Sequence, residues 1–398
     1  MSEVLGDKAT GGPTDALVRL YERWGGSGAG LLITGNVMVD RGGLGEPGNV
    51  VIVDGQHLAG LRRWADAAQA HGARLWMQLN HAGRQSPRQL SREPVAPSAV
   101  ALQGSVGRLF APPRALTEPE IEAIIARFAT AAAVAKDAGF AGVQLHGAHG
   151  YLISQFLSPR TNLRDDEWGG DPARRSRFLL EIVRAIRAAV GPAFPIGVKL
   201  NSADFQRGGF TIEEAMDVAR ALEAAGIDLL EVSGGNYESP AMAGSGELRE
   251  QQRASSRQRE AYFLDYARRI RTVTGTPILL TGGMRSRAVM EDAIASGAVD
   301  VVGLARPMAH TPELPARLLD GTLDAAPAVR IRSRIRFVDD AVQAMWFQQQ
   351  IHALARGREP DLGLGVWTAL WRGVRANLLP GKPRRRPAER AALAERTS

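Results

Sequence analysis

The chain has 398 residues, no cysteine and a formal net charge of +7. The lack of cysteine excludes disulfides, thiolate metal sites, Fe–S clusters and a cysteine nucleophile, and it is typical of a cytoplasmic protein. Residues 327–398 carry a net charge of +8, which leaves −1 for residues 1–326, so the larger part of the chain lacks the basic surface that binds nucleic acid. We expect neither a signal peptide nor a membrane-spanning segment, because no apolar run is long enough.

Short apolar runs alternate with longer amphipathic runs through residues 16–320. Strands are predicted at 30–34, 74–79, 142–145, 195–200, 228–232, 277–280 and 300–303, and helices at 16–24, 57–71, 118–138, 176–190, 212–225, 257–274 and 286–297. Repeated β–α units predict a parallel α/β sheet, either open or closed as a TIM (β/α)8 barrel. Seven strands are one fewer than a barrel needs, and the chain opens on a helix, so the missing strand would be the first.

The alternation stops near residue 321. We therefore expect a barrel over residues 1–320, a C-terminal helical extension over 321–379 with helices near 338–356 and 366–378, and a disordered basic tail over 380–398. In the last helix Trp367 and Trp371 share one apolar face. This face is expected to pack on the barrel or on a partner subunit of a homo-oligomer; the rival interpretation is a helix on a membrane surface.

One glycine-rich segment matches a dinucleotide-binding pattern but lacks its context. Residues 43–48 read GLGEPG, with Pro47 inside the match, and they are followed by NVVIV rather than by a helix. The pattern requires a strand before it and a helix directly after it. The segment is therefore predicted to be a turn.

Two histidines, His146 and His149, follow a predicted strand, three residues apart. They could be metal ligands, structural residues, or two N–H donors for one substrate oxygen with Tyr151 as the acid. No adjacent acidic residue completes a metal set. The end of a barrel strand favours the donor pair, because catalytic side chains concentrate there.

Gln78 and Lys199 also lie near the ends of apolar strands. A lysine in an apolar run is costly unless it faces an anion or takes part in chemistry. The Gln78 amide can donate and accept at once, which suits the edge of a heterocycle. A surface lysine and a simple strand-end amide are the alternatives.

The last two predicted strands are followed by TGGM at 281–284 and LARP at 304–307. If they are barrel strands seven and eight, their loops are where phosphate commonly binds, held by glycine backbone N–H groups. Gly282 and Gly283 would supply these N–H groups, and Arg306 could add a bidentate contact to the same phosphate. Ordinary turns are the alternative.

Taken together, these segments resemble the old yellow enzyme (NADH:flavin oxidoreductase) family of FMN-dependent barrels. The resemblance covers roughly residues 1–320. It is carried by GAGLLITGN (28–36), WMQLNHAGRQ (76–85), PVAPSAV (94–100), HGAHGYLISQFLSPRTNLRDDEWGG (146–170), RRSRF (174–178), VKLN (198–201), EVSGGN (231–236), TGGMRSR (281–287) and DVVGLARPM (300–308).

The resemblance implies roles for these residues. His146 and His149 match the pair that binds the substrate carbonyl oxygen, and Tyr151 matches the proton donor. The FMN contacts implied are Ser2, Asn36, Gln78, Lys199, Gly282, Gly283 and Arg306. The implied reaction passes hydride from NADH or NADPH through flavin N5 to the C=C bond of a small α,β-unsaturated carbonyl compound, with no metal ion.

The chain departs from the family in three respects. Lys199 stands where many relatives have arginine, which keeps the positive charge near the flavin but loses the fork geometry. The cysteines of the larger Fe–S relatives are missing. The first barrel strand is also missing, and Ser2 falls at the turn that follows it, so we expect a start assigned too late, a truncated chain or an open barrel.

Two rival functions follow from these observations. The first is a truncated, non-catalytic barrel that does not retain FMN, because an absent strand leaves two unpaired sheet edges. The second is a metal hydrolase built on His146 and His149.

Overall fold

The computed structural model describes residues 2–233, 264–329, 331 and 336–378, with the backbone only at 105, 106, 336–341 and 376–378. The start of the helix predicted at 257–274, the second half of the EVSGGN segment and the tail predicted at 380–398 lie outside these residues.

Within this part of the chain the strands are β1 Leu31–Ile33, β2 Val37–Met38, β3 Val50–Val51, β4 Arg74–Asn80, β5 Val95–Ala96, β6 Arg114–Ala115, β7 Gly142–Gly147, β8 Ile196–Asn201, β9 Leu229–Ser233, β10 Ile278–Thr281 and β11 Val301–Gly303. The α-helices are α1 Asp15–Gly25, α2 Leu58–Gln69, α3 Gly104–Gly107, α4 Glu118–Asp137, α5 Leu152–Leu157, α6 Pro172–Val190, α7 Ile212–Ala224, α8 Leu264–Arg271, α9 Arg287–Ala295, α10 Leu314–Leu319, α11 Arg336–Leu354 and α12 Val366–Leu378.

The main sheet is parallel throughout, in the order β11-β10-β9-β8-β7-β4-β2-β3, with β1 also paired to β4. The predicted α/β class and all seven predicted strands are therefore confirmed. No strand precedes β1 within residues 2–30, as predicted. The segment 43–48 ends a 3-10 helix (Arg41–Gly43) and continues as a loop into β3, so the predicted turn is also confirmed.

Hydrogen bonds do not close the sheet between β3 and β11 among the described residues. Helix α1 links its two ends instead. The indole of Trp24, in α1, donates to the backbone oxygen of Met308 at 3.0 Å, and Ala316 N–H donates to the oxygen of Ser27 at 3.0 Å. The first and last β–α units of the chain are thus held side by side.

Helix α11 packs on the barrel through its apolar face. Val342, Trp346, Phe347, Ile351 and Leu354 are buried in the same hydrophobic cluster as the barrel helices, as expected for an amphipathic helix docked on a core. Its neighbour α12 buries Ala369, whereas Trp367 and Trp371 remain 57% and 61% exposed. Across the described residues no helix combines the length and apolarity required to span a bilayer.

Candidate active site

The inward side chains of the strands form layers, because alternate residues of a strand face the same side. The lowest layer is apolar and contains Trp76, Leu229 and Leu279, which form a cluster of their own. Trp76 occupies the space beside Gly142 and Gly197, where an added Cβ would lie 2.6 Å and 2.9 Å from its ring. The polar side chains of the site therefore lie next to a tightly packed apolar layer.

The next layer is a row of hydrogen-bonded polar side chains. Gln78 Nε2 donates to Gln144 Oε1 at 2.7 Å, and Gln144 Nε2 donates to Glu231 Oε2 at 2.8 Å. Lys199 Nζ donates to Glu231 Oε1 at 2.6 Å. Gln78 and Lys199 thus belong to one buried row, which two residues that the sequence analysis missed complete.

His146 and His149 lie above this row. Their ring centroids are 5.0 Å apart, and the Tyr151 ring lies 4.8 Å from that of His146. The Nε2 atom of His149 lies 2.8 Å from Ser233 Oγ, and its backbone N–H donates to Asn201 Oδ1 at 3.2 Å. The structure therefore brings together the three residues that were predicted to act on the substrate.

Both histidines are neutral near neutral pH. Burial lowers the pKa of His146 well below its usual value, and the positive charge of Lys199 lowers it further. Burial and Lys199 have the same effect on the pKa of His149. Because Nδ1 of His146 accepts the Ala148 N–H at 3.3 Å, the ring proton of neutral His146 lies on Nε2. His146 thus offers an N–H donor without a full charge.

Asn36 reaches the tyrosine from a bulge between β1 and β2. Ile33 pairs with Trp76 and Val37 pairs with Leu79, so the first strand holds one residue more than β4 over this interval, which is a β-bulge. Asn36 Nδ2 lies 3.4 Å from the Tyr151 hydroxyl.

The N-terminal segment is bound to the same bulge. Ser2 Oγ accepts a hydrogen bond from Asn49 Nδ2 at 3.1 Å, and that amide nitrogen lies 3.5 Å from the backbone oxygen of Asn36. The Glu3 carboxylate accepts the Gly35 N–H at 2.7 Å and also binds the hydroxyl of Tyr21. The side chain of Asn49 therefore connects Ser2 to the backbone of Asn36.

The predicted phosphate residues lie in neighbouring loops, because β10 pairs with β11. Gly282 and Gly283 have φ angles of 132° and 78°, in the range that favours glycine. Arg306 begins the 3-10 helix after β11 and is exposed. Partial removal from water, together with the positive charge of Arg285, lowers the pKa of Arg306. Two cations so near each other create a local positive potential, which suits a phosphate.

Within the described residues, no cluster of three or more histidine and acidic side chains could hold a metal ion. His146 and His149 thus find no third metal ligand in that part of the chain.

A sequence model of the "NADH:flavin oxidoreductase / NADH oxidase family" matches residues 6–324. The chain belongs to this family. It is 40% identical over 342 residues to the NADH-dependent flavin oxidoreductase iliE of Hypocrea jecorina, covering 80% of this chain and 83% of that one. Identity to the NADH oxidase of Thermoanaerobacter brockii is 39%, over 78% of this chain and 46% of that one.

Solved structures agree with this assignment. A complex of 2-naphthoyl-CoA reductase superposes with a TM-score of 0.75 at 30% identity, over 83% of this chain and 50% of that chain. The old yellow enzyme homologue of Zymomonas mobilis superposes with a TM-score of 0.68 at 25% identity, over 83% and 89%. The expected barrel fold is thereby confirmed. Another relative, the NADH-dependent flavin oxidoreductase iliE of Neonectria, is 37% identical to this chain, which spans only 47% of its length.

The donor set of the site fits FMN, the cofactor of this family. The buried Asn36 Oδ1 has no hydrogen-bond partner among the described residues. This oxygen can therefore accept a hydrogen bond from a ligand bound at the site. Gln78 and Lys199 supply an amide and a cation for a pyrimidine edge, whereas Gly282, Gly283 and Arg306 supply backbone N–H groups and a guanidinium for a phosphate. These residues would hold the cofactor.

The sequence analysis missed four residues of the site: Gln144, Asn201, Glu231 and Ser233. Each stands on a strand at an even spacing from its neighbours in the site, since Gln144 is two residues before His146 and Asn201 two residues after Lys199. The rule that alternate residues face one side could have found them.

Proposed function

We propose that the chain is an FMN-dependent ene-reductase, which passes hydride from NADH or NADPH to the C=C bond of a small α,β-unsaturated carbonyl compound. One observation carries the proposal: two neutral histidines and a tyrosine converge at the carboxyl ends of the strands, above the Gln78–Lys199 row. Family membership and NADH-dependent relatives support the flavin and the reductant.

In this proposal His146 and His149 bind the carbonyl oxygen of the substrate. Negative charge builds on this oxygen as the neighbouring C=C bond is reduced, and N–H donors fixed beforehand stabilise that charge without reorganising. Neutral rings suit the task, because they bind the oxygen without giving it a proton. Bound FMN would supply the hydride chemistry.

Tyr151 donates a proton to the substrate Cα in this proposal. Its hydroxyl lies 3.4 Å from Asn36 Nδ2, and its ring lies against His146. An amide donor at the tyrosine oxygen stabilises the phenolate that forms when the proton leaves. The tyrosine and the histidines would therefore act on different atoms of one substrate, namely carbon and oxygen.

The test has two stages. Purified chain is first titrated with FMN, and saturable binding with a yellow protein is expected. Tyr151→Phe is then compared with the wild type by stopped-flow absorbance: reduction by NADH stays unchanged, whereas reoxidation by 2-cyclohexenone slows about 100-fold or more, in the range of general acid catalysis.

Two results would overturn the proposal. A chain that stays colourless and ignores added FMN supports the non-catalytic barrel. Equal reoxidation rates in both proteins remove Tyr151 as the acid. A chelator control excludes the metal hydrolase if the bound flavin and the activity both survive it.

A further inference from the structure

The buried row below the histidines contains a carboxylate that the proposed chemistry does not use. Glu231, on β9, is 3% exposed and lies between two partners from other strands, with Lys199 Nζ at 2.6 Å and Gln144 Nε2 at 2.8 Å. Burying a carboxylate is costly unless it is paired and hydrogen-bonded. We therefore expect this buried carboxylate to have a functional role.

Glu231 is ionised in the folded chain. Burial alone would raise its pKa, but the charge and hydrogen bond of Lys199, with further hydrogen bonds from Gln144 and Thr281, lower the pKa below its usual value. An ionised carboxylate only accepts hydrogen bonds. It therefore requires that each partner turn a donor towards it.

This requirement passes along the row to Gln78. Because Glu231 accepts, Gln144 must direct its amide nitrogen at the carboxylate and its oxygen at Gln78. Gln78 must then direct its own nitrogen at Gln144, at 2.7 Å. The reverse orientation of Gln144 would place its oxygen against the carboxylate, where two acceptors repel each other. The carboxylate thus determines which atoms Gln78 presents to the cavity.

Glu231 also balances the charge of Lys199. The two residues are register partners on β8 and β9, and Lys199 is in turn the register partner of His146. The ammonium alone would place a full positive charge beside the substrate-binding pair. With Glu231 ionised beside it, the layer is close to neutral.

We propose that Glu231 is a positioning residue for the flavin, which fixes the Gln78 amide, holds Lys199 and offsets its charge. The inference rests on the proposed function, because it requires FMN at Gln78 and Lys199. Without the carboxylate, Lys199 would stabilise the anionic reduced flavin more strongly. Glu231 therefore keeps the reduction potential of the flavin lower than Lys199 alone would set it.

The test is Glu231→Gln, which preserves shape and removes charge. The flavin reduction potential is expected to rise, and the FMN dissociation constant to increase about tenfold, the size of one lost hydrogen bond to a charged group. The matched control is Glu214→Gln on α7, which also removes the charge of a carboxylate paired with a buried cation, Arg175. The flavin reduction potential and the FMN affinity of Glu214→Gln should equal those of the wild type.

Three results would overturn the inference. It fails alone if the wild type binds FMN and Glu231→Gln leaves the potential unchanged, or if Glu214→Gln shifts it equally. It falls together with the proposed function if the wild type does not bind FMN. Lys199→Met separates the two cases further, since removing the cation is expected to lower the potential, opposite to the effect of Glu231→Gln.

Discussion

The imidazole Nε2 of His149 lies 2.8 Å from the hydroxyl oxygen of Ser233, the last residue of β9. The histidine has a positive φ of 61°, which is rare for a residue with a side chain. Its backbone N–H bonds to Asn201 at the end of β8. Two neighbouring strands thus hold the strained residue, and strain held this way is typical of functional sites.

Ser233→Ala is predicted to impair the carbonyl half of the reaction. Without the hydroxyl, the His149 ring loses its only hydrogen-bond partner among the described residues, and kcat/KM for 2-cyclohexenone should fall about tenfold, as for one hydrogen bond. Stopped-flow reduction by NADH should not change. Ser202→Ala is the matched control, because the buried Ser202 hydroxyl makes no hydrogen bond within the described residues. Equal effects of the two substitutions would contradict the prediction.

The sequence predicted seven of the strands, but neither the short strands β2, β3, β5 and β6 nor the contacts between strands. Lys199 and Gln78 were found because a polar residue stands out in an apolar run. Their connection through Gln144 and Glu231 depends on register, which pairs Gln78 with Gln144 and Lys199 with Glu231. Parallel register is set by packing over the whole barrel, so no local pattern encodes it.

The bulge before Asn36 was unpredictable for a similar reason. The predicted strand covers 30–34 without interruption, yet β1 ends at Ile33 and a second strand, β2, begins at Val37. The extra residue is accommodated because Thr34 Oγ1 accepts the Gln78 N–H at 2.9 Å and Glu3 binds Gly35. Both contacts are distant in the sequence, and they turn Asn36 towards Tyr151.

His81→Asn is predicted to reduce the acid sensitivity of the fold. Burial lowers the pKa of His81 to about 4, whereas an unfolded histidine titrates near 6.5. Between these values the unfolded chain takes up a proton that the folded chain does not, so lowering the pH from 7 to 4.5 costs about 2.4 kcal/mol of stability through this residue.

Urea unfolding at the two pH values measures this effect. The drop in unfolding free energy should be about 2.4 kcal/mol smaller in His81→Asn than in the wild type. Asparagine can still accept the Gly83 N–H, which lies 3.0 Å from His81 Nδ1. The control His71→Asn, at an exposed position, should leave the wild-type drop intact. An unchanged drop in His81→Asn would exclude the buried neutral ring.

Trp346→Ala is predicted to lower the unfolding free energy by about 3–5 kcal/mol, the usual cost of emptying a large buried site. Trp346 is 1% exposed, and its indole donates to the Leu364 oxygen at 3.0 Å. The matched control is Trp371→Ala, which removes a side chain that is 61% exposed and should change stability by about 0.5 kcal/mol or less. If both variants unfold like the wild type, the C-terminal helices do not contribute to the core.

Gly35→Ala is predicted to disturb the fold and the flavin site together. A Cβ at Gly35 would lie 2.2 Å from Glu3 Oε2, so either the carboxylate or the bulge must move, at a cost of about 1–3 kcal/mol for overpacking. Because Asn36 follows directly, FMN affinity should fall as well. Gly30→Ala is the matched control, since a Cβ there meets nothing within 4 Å. Unfolding and FMN titration of both variants check the prediction, which is wrong if Gly35→Ala behaves like Gly30→Ala.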